Sequence, residues 1–71
     1  MNRAPVQSSN ISSVGYDPAT NTLEIEFRSG GVYQYYRVPR KVHEGLMKAA
    51  SKGSYFHHYI KMGGYQYSKV G

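Results

Sequence analysis

The stretch that most limits what this chain can fold into is Thr22-Leu23-Glu24-Ile25-Glu26-Phe27-Arg28, where apolar and charged side chains alternate without a break. Successive strand residues point to opposite faces, so Leu23, Ile25 and Phe27 share one side and Glu24, Glu26 and Arg28 the other. A helix would scatter the same side chains around its circumference. The pattern predicts a half-buried strand over 22–28 with one wet face. Ser29-Gly30-Gly31 then reads as a hairpin loop, with glycine where φ must be positive. Residues 32–38, Val-Tyr-Gln-Tyr-Tyr-Arg-Val, are rich in strand formers and predict the returning strand.

Register decides which side chains of the return are buried. A three-residue Ser29-Gly30-Gly31 loop pairs Arg28 with Val32, Phe27 with Tyr33 and Ile25 with Tyr35. Tyr33 and Tyr35 then join the apolar face, and Gln34 and Tyr36 lie with the glutamates. A two-residue loop would place the Gln34 amide on the buried side without a partner, which is costly. A one-residue slip reverses every side chain, so the first register is preferred.

Upstream, residues 10–16 form a weaker strand, apolar at Ile11, Val14 and Tyr16. The three-residue step from Ile11 to Val14 breaks alternation and predicts a bulge near Ser12–Ser13. Asp17-Pro18 opens a type I turn. Residues 1–8 are polar and read as a flexible lead. Downstream, Pro39 suits a first helical turn, where its missing N–H costs nothing. Val42, Leu46, Ala49 and Ala50 then make an apolar stripe, predicting a helix over 39–52 stopped at Gly53. Ser54 is the expected cap of a second helix to about Lys61, with Phe56 and Ile60 on one face. Residues 63–71 are a tail, either a short docking strand or loose. The expected fold is α+β, a three-stranded antiparallel sheet followed by two short helices packed on one face, with the domain spanning 9–62. Its expected core is Val14, Tyr16, Leu23, Ile25, Phe27, Tyr33, Tyr35, Val42, Leu46, Phe56 and Ile60.

Seventy-one residues allow one domain. Cysteine is absent, which removes disulfides and thiolate zinc sites and suits a reducing cytoplasm. Met1 to Asn10 carries no apolar run of the signal-peptide kind, and no stretch is long enough to span a bilayer. A cytoplasmic protein without membrane association is expected.

The net charge of +5 is unevenly placed. Residues 1–36 carry two arginines against three carboxylates, whereas residues 37–71 carry seven Lys and Arg against Glu44 alone. Such asymmetry points to a polyanionic partner, with a merely solubilising surface as the plain alternative.

In order along the chain, Ser9-Asn10-Ile11, Val14-Gly15-Tyr16-Asp17-Pro18, Gly30-Gly31-Val32-Tyr33-Gln34-Tyr35, Val38-Pro39, Ser51-Lys52-Gly53, Tyr55-Phe56 and Ile60 resemble the KTSC domain. That family is named for its place at the C-terminus of some lysyl-tRNA synthetases and also occurs as a stand-alone protein in bacteria and phages. Its Tyr-x-Tyr signature is matched by Tyr33 and Tyr35, and the resemblance covers roughly residues 8 to 70. It implies RNA binding as the functional expectation, and it assigns no role to the basic side chains.

No catalytic constellation is visible, and no enzyme is expected. Gly30-Gly31 and Gly63-Gly64 lack the spacing and the following Lys-Ser/Thr of a phosphate loop. Glu24 and Glu26 fall on the wet strand face, where neither carboxylate is expected to be desolvated as catalytic carboxylates usually are. His57 and His58 are helix neighbours pointing about 100° apart, and His43 is on another helix. No set of converging ligands is apparent, so neither metal nor cofactor is expected.

Eight tyrosines without tryptophan leave two readings. Tyrosine rings stack on unpaired bases, but they also serve as core residues with a polar tip. The register favours the core role for Tyr33 and Tyr35 and leaves Tyr36 as a stacking candidate on the open face. Glu24 and Glu26 on that face would repel phosphate, so the helical side is the better nucleic-acid surface: Arg37, Arg40, Lys41, Lys48, Lys52 and Lys61. Lys41, Lys48 and Lys52, at spacings of seven and four, line one face of a continuous helix. The expected function is a small non-catalytic module for nucleic acid, RNA first. The alternatives are protein interaction or self-association through exposed Tyr36, Tyr55, Tyr59 and the tail, and a sponge for a nucleotide or cyclic oligonucleotide.

Overall fold

The computed structural model describes residues 1–71. Three strands of an antiparallel meander run over Ile11–Asp17 (β2), Thr22–Phe27 (β3) and Val32–Tyr35 (β4). The sheet has five strands rather than three, each lying beside its neighbours in chain order. The additions are Ala4–Pro5 (β1), paired with β2, and Tyr67–Lys69 (β5), paired with β4. Both are backbone pairings of two or three residues, too short to show a period.

The β2–β3 register shifts between Ile11 and Ser13, the bulge expected there. Thr20 N–H donates to the Asp17 carbonyl at 3.3 Å and Ala19 N–H to the Asp17 carboxylate at 3.0 Å, closing the turn before β3. In the β3–β4 hairpin, Ile25 faces Tyr33 and Leu23 faces Tyr35. The predicted register is therefore displaced by two residues, while every side chain keeps its expected face. The loop is Arg28-Ser29-Gly30: Gly30 N–H donates to Phe27 O at 3.0 Å, and Phe27 N–H to Gly31 O at 3.1 Å. Gly30 and Gly31 take φ of 98° and 94°, a conformation that suits glycine.

Between β4 and the first helix the chain turns at Arg37, whose φ is 59°. This is an uncommon conformation for a residue with a Cβ. The flanks fix it. Tyr36 N–H is held by Gln66 O at 2.9 Å, and Val38 N–H by Asn21 O at 2.9 Å. Val38 itself is fully buried, its carbonyl accepting from the Tyr16 hydroxyl at 2.6 Å.

Helix α1 runs Arg40–Lys48 and α2 runs Lys52–Tyr59, followed by a 3-10 turn over Lys61–Gly63. The first helix is shorter than predicted. Ala49 leaves it in extended geometry, and Ser51, not Ser54, caps α2 by accepting from Ser54 N–H at 3.3 Å. Gly53 thus lies inside α2 instead of ending α1.

The helices cover the apolar face of the sheet. Ile11, Val14, Leu23, Ile25, Tyr35, Val38, Leu46, Phe56 and Ile60 form the buried core. Ile11 and Val38 join the predicted set, while Tyr16, Phe27, Tyr33 and Val42 pack at its margin. A Cβ on Gly45 would lie 2.1 Å from the Tyr55 hydroxyl, so the absence of a side chain there lets α2 lay its Tyr55 ring against α1.

The opposite face is not the simple wet surface expected. Glu24 is 6% exposed. Its carboxylate accepts from the Arg3 guanidinium and from the Gln34 amide, the latter at 2.8 Å. Arg3 also donates to Ser13 Oγ at 3.0 Å, and Ser13 in turn to Glu26 at 2.9 Å. Gly15, opposite Glu24 in the register, leaves room for the N-terminal segment: a Cβ there would lie 2.6 Å from Asn2 O.

Candidate functional site

The largest aromatic concentration lies where β4 and β5 meet α2. Phe27, Tyr33, Tyr35, Phe56, Tyr65 and Tyr67 surround an open cleft of about 470 Å³, with the Ser29-Gly30 turn and Lys61 at its rim. Sequence alternation places Phe27, Tyr33 and Tyr35 on this face. Tyr67 arrives because β5 pairs it opposite Tyr35. Ring centroids are 5.3 Å apart for Phe27–Phe56, 5.4 Å for Tyr35–Phe56 and 5.5 Å for Tyr35–Tyr67. Edge-to-face and tilted contacts of this kind hold aromatic rings in defined orientations. Tyr35 is buried, and its burial, with Tyr67 and Tyr33 nearby, pushes the hydroxyl up to about 12. It therefore stays a neutral donor at physiological pH.

The tyrosine hydroxyls divide into two groups. Tyr16 donates to Val38 O, and Tyr36 reaches Gln34 Oε1 at 3.4 Å. The cleft tyrosines make no side-chain hydrogen bond within the chain, yet no fully buried polar side-chain atom lacks a partner. The Tyr35 hydroxyl therefore opens into the cleft.

Tyr65 also lines a second hollow of about 430 Å³ with Tyr36, Arg37 and the Gly63–Gln66 segment. The two hollows adjoin at this ring. Of the predicted site residues, Lys61 lies at the cleft and Tyr36 and Arg37 at this second hollow, with the Tyr36 hydroxyl turned to Gln34 on the opposite face of the sheet from Tyr35. Arg40 faces a different hollow, beside Arg3, Tyr16, His43 and Glu44. Lys41 and Lys48 are exposed on α1. Lys52 does not continue their stripe, because the helix breaks at Ala49; its ammonium instead donates to Ala49 O at 3.0 Å. Tyr33 and Tyr35, read as structural, are at once core and cleft wall.

The one ion pair is Arg3–Glu24. Burial alone would raise the Glu24 carboxyl, but hydrogen bonds from Gln34 and Arg3 and the Arg3 charge outweigh it and hold the group below the ordinary range. His43 stacks on Tyr16, with centroids 4.6 Å apart and rings within 7° of parallel. Burial lowers its pKa, with Glu44 acting in the opposite sense. No three of His, Cys, Asp and Glu come close enough to hold a metal ion, and no helix is long and apolar enough to cross a membrane.

A five-stranded antiparallel sheet in chain order, backed by two short helices and carrying an aromatic cleft at one edge, defines a small α+β domain of a particular kind. The KTSC domain matches residues 7–67, so the chain belongs to the KTSC domain family. The crystal structure of a KTSC domain protein from Yersinia pestis superposes with a TM-score of 0.94 at 48% identity, over 99% of this chain and 97% of that one. A protein of Stutzerimonas stutzeri is 41% identical over 70 residues, 99% of both chains. A lysine–tRNA ligase of Nostoc sp. is 45% identical over 64 residues, which is 90% of this chain but 11% of the ligase.

Proposed function

We propose that this chain is a non-catalytic binding module for nucleic acid, with RNA as the preferred ligand, and that it works in the cytoplasm. The observation that carries the reading is the charge balance of the surface. Arg3 is the one cation held in an ion pair, while Arg37, Arg40, Lys41, Lys48 and Lys61 are exposed. Exposed cations without carboxylate partners are free to replace the counterions of a phosphate chain. The lysine–tRNA ligase that contains a segment of this kind acts, by its name, on an RNA, and this supports the choice of RNA. The residues assigned to contact are Tyr36, Arg37, Arg40, Lys41, Lys48 and Lys61. Lys52 contributes less, because its ammonium is engaged by Ala49.

The test is a salt titration of binding to single-stranded RNA and DNA oligomers. Four phosphate contacts make affinity fall on the order of a hundredfold between 50 and 200 mM salt. Lys41→Gln/Lys48→Gln should weaken binding to all sequences alike, at little cost in stability. Arg37→Gly removes another cation at a position whose backbone already suits glycine. Failure of both oligomers to bind at low salt would overturn the reading.

A second reading, self-association or a protein partner, is favoured by Tyr59 and Met62, which are 60% and 69% exposed. Sedimentation at increasing concentration separates it: self-association gives a concentration-dependent mass that Tyr59→Ser/Met62→Ser abolishes.

A further inference from the structure

We infer that the aromatic cleft between β4, β5 and α2 is a pocket for one unpaired nucleobase, with Lys61 receiving the adjoining phosphate. The inference rests on the nucleic-acid reading above and deepens it from a charged surface to a built site. Three observations carry it. The volume of about 470 Å³ lies within the range of roughly 300–1,000 Å³ usual for pockets that enclose a small organic molecule. Its walls are aromatic rings, and a base inserted there gains stacking that does not depend on sequence. Its polar side chains are the cleft tyrosine hydroxyls, which have no side-chain partner in the chain, the Ser29 hydroxyl and one cation, Lys61.

The charges around the cleft favour this occupant over an apolar peptide side chain. No carboxylate lines it. Glu24 and Glu26 lie on the other face of the sheet, and Lys69 adds a second cation at the same edge, its Cε 3.6 Å from the Cβ position of Gly31. An aromatic slot flanked by cations fits a flat, hydrogen-bonding group attached to an anion. Recognition of this kind needs an unpaired base, because a base within a duplex cannot enter a cleft.

The experiment compares a short single-stranded oligomer with an abasic phosphodiester chain of equal length and charge. Both are titrated at low salt into the intact protein and into two variants. One variant, Tyr67→Ala, removes a wall from a residue that is 62% exposed and held in β5 by its backbone, so the fold is retained. The other, Lys61→Gln, removes the rim cation at an exposed position. The expected result is that the base-bearing chain binds at least tenfold tighter than the abasic one, since stacking losses on alanine substitution correspond to roughly five- to hundredfold. Tyr67→Ala should erase most of that difference, whereas Lys61→Gln should lower the salt slope by about one and preserve it. Equal binding of the two chains, salt-dependent in both, would overturn the base pocket and leave the charged-surface reading standing. No binding of either chain would overturn both. Chemical-shift changes for uridine and adenosine monophosphates provide a second measurement. They should fall on Gly30, Lys61, Tyr65 and Tyr67, and shifts confined to α1 would also overturn the pocket.

Discussion

The Arg3 guanidinium, at the very start of the chain, donates to the carboxylate of Glu24 in the middle of β3, a group only 6% exposed. A buried carboxylate stripped of its cation keeps a full desolvation penalty. Arg3→Ala should destabilise the domain by about 1–3 kcal/mol in denaturant titration, because Gln34 still donates and Arg3 is itself partly exposed. A loss below about 0.5 kcal/mol would show that the pair is held no more firmly than a surface contact.

The same pair sets an acid limit. Because Glu24 titrates below its ordinary range when folded, its contribution is fully present above about 4.3 and disappears as pH falls through the lower folded value. Arg3→Ala should move the acid-unfolding midpoint upward in pH. An unchanged midpoint would refute this account of Glu24.

His43 has the opposite chemistry but acts in the same direction along the pH axis. Its folded pKa is lowered by burial, so the unfolded chain binds the proton more readily. Stability should therefore decline as pH falls below about 6.5 and level off once the folded value is passed, with a slope of at most about 1.4 kcal/mol per pH unit. His43→Phe keeps a ring against Tyr16 and should remove that slope. His57 and His58 are present in both proteins and cancel in the comparison. A slope that survives the substitution places its source elsewhere.

Gly45 and Tyr55 test how closely the helices cross. Gly45→Ala puts a Cβ into the Tyr55 ring, at 2.1 Å from the hydroxyl and 2.6 Å from Cζ. The ring can tilt, so a cost of about 1–3 kcal/mol is expected, net of the better helix propensity of alanine. Adding Tyr55→Ala should recover part of that loss, giving a favourable coupling in a double-mutant cycle. Additive losses would mean that the clash is relieved elsewhere.

Tyr35→Ala should cost about 3–5 kcal/mol, since the ring is 7% exposed and packs against Phe56. Tyr35→Phe should change stability by no more than about 0.5 kcal/mol, because the hydroxyl opens into the cleft. Urea unfolding of the two variants checks the pair. A large loss in the phenylalanine variant would mean that the hydroxyl has an acceptor inside the fold.

The sequence was most informative where one residue type repeats at one spacing. Leu23, Ile25 and Phe27 announced β3, and the broken step between Ile11 and Val14 announced the bulge. Parity was legible, but registers two apart share the same parity. Ser29-Gly30-Gly31 permits a three-residue loop that begins at Arg28 as readily as one that begins at Ser29. The short edge strands left no period to read. Glu24 looked solvated because Arg3, its partner, lies 21 positions away. Lys52 looked like a continuation of Lys41 and Lys48 because an Ala-Ala-Ser segment does not advertise a helix end. The cleft was only half legible: alternation supplies Tyr33 and Tyr35, but nothing local brings Tyr67 beside them.

The order of the strands also has a kinetic meaning. Pairings β1–β2, β2–β3 and β3–β4 join segments that follow one another directly, whereas β4 and β5 are separated by residues 36–66 and both helices. Closing that long loop pays only after the intervening chain has condensed, so the last strand belongs to the late side of the folding barrier. Substitutions at Tyr67 should then have φ-values near zero, accelerating unfolding while leaving the folding rate almost untouched. The wall that completes the aromatic cleft would thus be the first to detach, and the site would open through partial unzipping of one edge while the meander beneath it stays folded.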